Sequence, residues 1–177
     1  QEFIEHGRRA LDELLPNESA SRPYDLAQLS LIWPYSIVSE AQAARILENI
    51  EGNLVGTHGL VRYPGDLYYN ADASKPVGNE AQWPLGFAWL SIVYSQMAVK
   101  AIEMGAVFSP LSEYIEKSGM YLERLESLMT DEGMVPELYT AGKANWNVPL
   151  AWAQSFYIVA RQNLSRVYDK LNRRQVP

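Results

Sequence analysis

A chain of 177 residues, 47% of them hydrophobic, is long enough for one cored domain, too short for two, and too apolar to stay disordered. A net charge of -6 with no basic block argues against nucleic acid as the main partner, and the absence of cysteine removes disulfide and thiolate-metal frameworks. Two distant histidines, His6 and His58, make a histidine metal cluster improbable, and no apolar run approaches about 18 residues, so neither a metal nor a membrane span is expected.

Apolar residues recur at helical spacing in six segments, and no strand-type alternation of useful length interrupts them. The first runs from Glu2 to Leu15, with Phe3, Ile4, Leu11 and Leu14 on one side. It begins without an initiator Met and without a signal peptide, so the chain is expected to start in the middle of a longer gene product. The second spans Tyr24 to Trp33 and stops at Pro34. The third opens at Ser39, which has capping-box spacing to Gln42, and carries Ile46, Leu47 and Ile50 as its stripe. The fourth covers Ala81 to Met104, with Trp83, Phe87, Leu90, Tyr94 and Met97 in register. The fifth takes Ser109 as cap and Pro110 as first residue and reaches Met129. The sixth runs from Pro149 to Leu171. Trp152, Phe156 and Tyr157 read as core, Met97, Met104 and Met120 as packing residues, and Lys100, Glu103, Glu113, Glu116 and Lys117 as solvated helix faces. The fold class is all-α, with short extended pieces admitted only between Gly59 and Tyr69.

The connections alternate in length. Those before Tyr24, between Gly52 and Glu80, and between Thr130 and Val148 are long, whereas those after Pro34 and Gly105 are short. If successive helices are antiparallel, all three long loops fall on one face, where function usually resides. That face collects Arg22, Asp25, His58, Arg62, Asp66, Tyr68, Tyr69, Glu80, Glu137, Tyr139, Asn145 and Trp146. Five Trp and eleven Tyr are many for this length, and several stand in polar loops beside Asp, Glu and Arg. That mixture suits a sugar, whose C–H faces stack on rings while its hydroxyls need fixed donors and acceptors.

Two segments are dense in such residues. In Arg62-Tyr63-Pro64-Gly65-Asp66-Leu67-Tyr68-Tyr69-Asn70, the Arg62 fork can hold two sugar hydroxyls or one carboxylate, and Asp66 can hold Arg62. The same Arg–Asp pair would equally serve a purely structural loop. In Met134-Val135-Pro136-Glu137-Leu138-Tyr139, Glu137 stands alone between apolar and aromatic neighbours, as a general base or as an ordinary surface glutamate.

Together these segments resemble glucoamylases, the glycoside hydrolase family 15 enzymes. Arg62 to Asn70 is similar to that family's R-Y-P-x-D-x-Y-Y-N segment, Met134 to Tyr139 to the segment holding its general base, and Pro149-Leu150-Ala151-Trp152-Ala153-Gln154-Ser155 to the helix start after it. The resemblance covers roughly Arg22 to Asn163, in the family's order and spacing. It implies an (α/α)6 toroid of twelve helices, of which residues 1–177 would be the C-terminal half. It further implies Glu137 as general base, Arg62 as holder of a terminal glucose, Asp66 as its orienting partner, and Tyr68, Trp83 and Trp146 as pocket walls. No cofactor is implied. The implied partners are an α-glucan or glucoside substrate and the N-terminal half of the same domain, which would carry the general acid. Many glucoamylases have Gln where Leu138 stands, and the Val-Pro-Glu-Leu-Tyr string is also similar to the glucoamylase-like domains of phosphorylase kinase regulatory subunits. The alternative is therefore a non-catalytic, glucan-binding regulatory domain.

Overall fold

A computed structural model describes residues 2–69, 80–106 and 109–174, so that Asn70 of the loop motif and Phe108 of the fourth connection lie outside the described residues. The chain is mostly helical, 58% helix against 6% strand. In order it runs α1 (Glu2–Leu14), a 3-10 turn (Leu26–Gln28), α2 (Leu29–Ile32), α3 (Glu40–Asn53), β1 (Leu60–Val61), β2 (Gln82–Trp83), α4 (Leu85–Glu103), α5 (Leu111–Glu126), β3 (Tyr139–Thr140), β4 (Lys143–Ala144) and α6 (Ala151–Arg174).

The core is built around α4, whose residues from Leu85 to Ser95 are all buried. A helix that is apolar all round must be covered all round, and here α3, α5 and α6 supply the cover. By length and composition α4 is also apolar enough to cross a membrane, which corrects the expectation that no segment would qualify, but it is the central core helix and 78% of its apolar window is buried. Its two serines do not remain unpaired. Ser118 of α5 donates to the Ser91 carbonyl at 3.0 Å, and its hydroxyl lies 2.7 Å from that of Ser95. On α3, Ser39 and Gln42 make both halves of the capping box, and Ile46, Leu47 and Ile50 face inward.

Several expected boundaries shift for physical reasons. The segment from Tyr24 shortens because Asp25 caps at Ala27 and starts a 3-10 turn at Leu26, leaving only four residues of α2 before Pro34. The fourth helix begins at Leu85 rather than Ala81, because Gln82 and Trp83 pair as a strand. Ser109 makes no side-chain cap on α5, where Pro110 takes the cap position. The same helix ends early, as Leu128 and Met129 N–H turn to carbonyls three residues back. Trp152, Met104 and Met120 are not core: they are 53%, 65% and 40% exposed, at the start of α6, past the end of α4 and on the outer side of α5. Lys117 is not a free surface lysine, since it reaches inward to Glu51 at 2.8 Å and to the Tyr94 hydroxyl at 3.2 Å.

The purely α expectation also misses a small antiparallel sheet in the order β1-β2-β3-β4. Leu60 pairs with Trp83, Val61 with Gln82, Gln82 with Tyr139, and Tyr139 with Ala144. This sheet ties the α3–α4 connection to the α5–α6 connection, and a bond from Leu26 N–H to the Arg62 carbonyl at 2.7 Å brings in the segment before α2. The three long loops thus meet on one face. Gly59, at φ +145°, permits the approach of β1 to β2, because a Cβ there would run into the Trp83 carbonyl. Gly86 does the same for β1 against α4, where a Cβ would lie 2.6 Å from that of Leu60.

Candidate functional site

Arg62 follows β1 directly. Its Nε and Nη2 donate to the two carboxylate oxygens of Asp66 at 2.6 and 2.8 Å, a bidentate pair. Asp66 is buried and also accepts the Tyr68 N–H at 3.1 Å. Burial pushes its carboxyl up, but the Arg62 hydrogen bonds and the Tyr68 N–H more than offset this and hold it below the usual carboxylate value. The Asp66 hydrogen bond in turn raises the Arg62 guanidinium. That guanidinium lies 4.7 Å from the Trp83 ring centre and 5.0 Å from that of Tyr68, and the two rings stack at 5.7 Å. Arg62 Nη1 takes part in no hydrogen bond with described residues. Tyr68 and Tyr69 present exposed rings, and Tyr69 is held at φ +64°, a strained conformation for an aromatic residue. Arg22 and Asp25 serve this loop from behind: Arg22 pairs with Asp25 at 2.7 Å and lies 4.0 Å over the Tyr63 ring.

Glu137 stands on the hairpin that carries β3 and β4. Ala141 and Gly142 at its tip both have positive φ, +47° and +75°, which makes a two-residue type I′ turn. Near the tip the register pairs Tyr139 with Ala144, yet Glu137 N–H donates to the Asn147 carbonyl at 3.0 Å. The second arm therefore carries one extra residue, a bulge that leaves Trp146 80% exposed. Asn145 and Asn147 both donate their side-chain amides to Glu137 Oε2, at 2.6 and 2.7 Å. Oε1 receives no hydrogen bond from described residues. The base of the hairpin is held by Gln154 of α6, which accepts from Val135 N–H at 3.0 Å and donates to the Gly133 carbonyl at 3.2 Å.

Trp83 joins the two halves of the site. It packs with Ala81 and Leu138 on one side and carries Arg62 and Tyr68 on the other. β1 and β3 flank β2, and continuing the register sets Arg62 opposite Ala81 and Glu137 opposite Pro84, so the two segments lie roughly 9.5 Å apart across the sheet and about 10 Å apart along it. Trp83 is only 9% exposed and sits in β2, so it supports the walls, while Tyr68 and Trp146 offer open ring faces. The His58 ring stacks on Tyr139 at 4.9 Å, and the His58 backbone N–H donates to Gln82 Oε1 at 2.7 Å. His6 is exposed on α1, away from this chemistry, and Glu80 is half-buried beside Ala81. Among the described residues three buried side-chain polar atoms lack a partner, and two are here: the donor Trp83 Nε1 and the acceptor Asn145 Oδ1.

Asn147 and Gln154 are the site residues that sequence reasoning missed as such. Recognising Ala141-Gly142 as a hairpin turn would have placed Trp146 opposite Glu137, with Asn145 and Asn147 on either side of it; the bulge then moves Asn147 to that position. Among the described residues no group of three or more acidic or histidine side chains is arranged to hold a metal ion. No protein-family model, curated protein or solved structure matches this chain.

Proposed function

We propose that this chain is the base-bearing half of an inverting α-glucoside hydrolase of the glucoamylase type, acting at non-reducing ends of α-glucans. The observation that carries the reading is the Glu137 carboxylate, fixed through Oε2 by two amides and free at Oε1 of donors from the described residues, beside the sheet that also bears the Arg62 loop. In this reading Oε1 takes a proton from a water as that water attacks the anomeric carbon. The bond to the leaving glucan breaks, and a carboxylic acid from a complementary half protonates the leaving oxygen, about 6.5–9.5 Å from Glu137. Arg62 Nη1 donates to hydroxyls of the terminal glucose, and Tyr68 and Trp146 cover its faces. Two carboxyl groups suffice, so no cofactor takes part. The six helices would form half of an (α/α)6 toroid, completed by a polypeptide carrying the other helices.

Leu138 favours a second reading. It is fully buried against Trp83 and offers a ligand no polar group beside Glu137. A regulatory module that binds glucan without cleaving it, as in phosphorylase kinase regulatory subunits, would accept such a residue. The test is maltose hydrolysis by the chain combined with its complementary half, followed by proton NMR. The first reading expects β-glucose as the initial product, and Glu137→Gln is expected to reduce turnover at least about 100-fold with binding retained. Activity within tenfold of the parent removes Glu137 as base, and binding without any turnover in the parent selects the regulatory reading. Arg62→Ala is expected to weaken maltose binding by about 1.5–3 kcal/mol in calorimetry, the range for hydrogen bonds to a charged group. Unchanged affinity takes the Arg62 loop out of the site.

A further inference from the structure

The opposite end of the helices carries a second group of polar side chains. α6 starts beside the sheet, and Arg166 lies roughly 22 Å further along it at 1.5 Å per residue. There Gln96 of α4 and Asn163, Arg166, Asp169, Lys170 and Arg173 of α6 line a cleft of about 270 Å³. Lys170 is tied to Glu103 at 2.9 Å. The side chains of Arg166, Arg173 and Asp169 have no ion pair or hydrogen bond with described residues. Asn163 is 5% exposed, and its amide Nδ2 is buried without a partner. The helix dipole accounts for Arg173 in the last turn of α6. It does not account for Arg166, more than two turns before the end, nor for a buried amide donor left unpaired beside it.

We propose that this cleft binds hydrogen phosphate, an anion that still carries a proton at neutral pH. Two unpaired guanidinium forks suit the oxygens of a tetrahedral anion, and the Asn163 amide is a third donor in the same wall. Asp169 decides between anions. An ionised carboxylate only accepts hydrogen bonds, so its neighbour must bring a proton. Hydrogen phosphate has one at neutral pH and sulfate has none, so the cleft prefers phosphate to sulfate. A cleft of this size takes one such group and a few waters, and the acidic remainder of the chain excludes a nucleic-acid backbone.

The test is titration calorimetry of the full chain with sodium phosphate, sodium sulfate and glycerol phosphate at constant ionic strength. Phosphate is expected to bind at least about tenfold more tightly than sulfate. Arg166→Gln is expected to weaken phosphate about tenfold or more, and Asp169→Asn to erase the preference over sulfate. Both positions are exposed on α6, so circular dichroism is expected to show an unchanged fold. Glycerol phosphate, a monoester that has largely lost its second proton at neutral pH, is expected to bind no more tightly than sulfate, and binding as tight as that of phosphate overturns the proposal. Absence of heat at about 10 mM phosphate, equal affinities for phosphate and sulfate, or an unaffected Arg166→Gln variant overturns the proposal. Glu137 lies at the other end of the helices, so the fate of this site is independent of the hydrolase reading.

Discussion

Asp66 is a buried carboxylate held ionised by two contacts that both depend on its charge, the Arg62 fork and the Tyr68 N–H. A carboxyl whose folded value is depressed adds stability above its unfolded value, near 3.8, and that stability is lost as pH falls through the folded value. Asp66→Asn is accordingly expected to cost about 1.5–3 kcal/mol at pH 7, the range for hydrogen bonds to a charged group. Urea unfolding of parent and variant at pH 7 and then at acidic pH reads this directly. The gap between them is expected to shrink below about pH 3.8, and a gap of constant size at all pH values would show that the charge of Asp66 is not what orders the loop. The Arg62–Asp66 pair was legible in the sequence because its partners are four residues apart. The Glu137 clamp was only half legible. Glu137 stood out by isolation, but its donors are fixed by the bulge at Trp146, and no local spacing announces a one-residue change of register.

The hairpin has a weak point of its own at the element scale. A type I′ turn needs positive φ at both central residues, and here the first is Ala141 at +47°. A residue with a Cβ is strained there by about 1 kcal/mol, whereas Asn tolerates the conformation. Ala141→Asn creates the favoured Asn-Gly turn and is expected to raise unfolding stability by about 1 kcal/mol, read as a higher urea midpoint with unchanged slope. A lowered midpoint would mean that this turn is not the conformation populated in solution. The helices show why some elements were readable and others were not. Both members of the Ser39 capping box lie within one turn, so α3 could be placed from its first residues. The start of α4 could not, because Gln82 and Trp83 share the helical periodicity of α4 but are claimed by partners about 20 and 55 residues away. Long-range pairing of two-residue strands leaves no alternation to detect, which is why only β1, inside the Gly59 to Tyr69 stretch where short extended pieces were expected, was foreseen.

At the scale of the molecule the described helices leave apolar surface uncovered. α1 buries none of its own residues, with Phe3 91%, Ile4 61% and Leu14 40% exposed along one stripe. It is held to the rest by Leu11 against the core and by a hydrogen bond from Gln42 to Asp12 at 2.8 Å. Its stripe and the segment at Ile37 and Val38 bound a groove of about 690 Å³. On α6, Trp152 and Ile158 are each about half exposed. A 13-residue helix that buries so little gains almost nothing from packing, and short helices are marginal without it. Exposed apolar surface beyond a few hundred Å² is uncommon on soluble monomers. If the six helices are half of a toroid, a second polypeptide covers these residues, and the stability of the chain depends on its concentration by mass action. Alone, the chain is then expected to self-associate or to bind a hydrophobic dye, and to hydrolyse no maltose. Addition of the complementary helices is expected to abolish dye binding and raise the unfolding temperature. Sedimentation velocity with a dye titration decides the matter. A compact 20.0 kDa species that binds no dye would show that Phe3, Ile4 and Ile158 need no cover, and the half-toroid reading would fall with it.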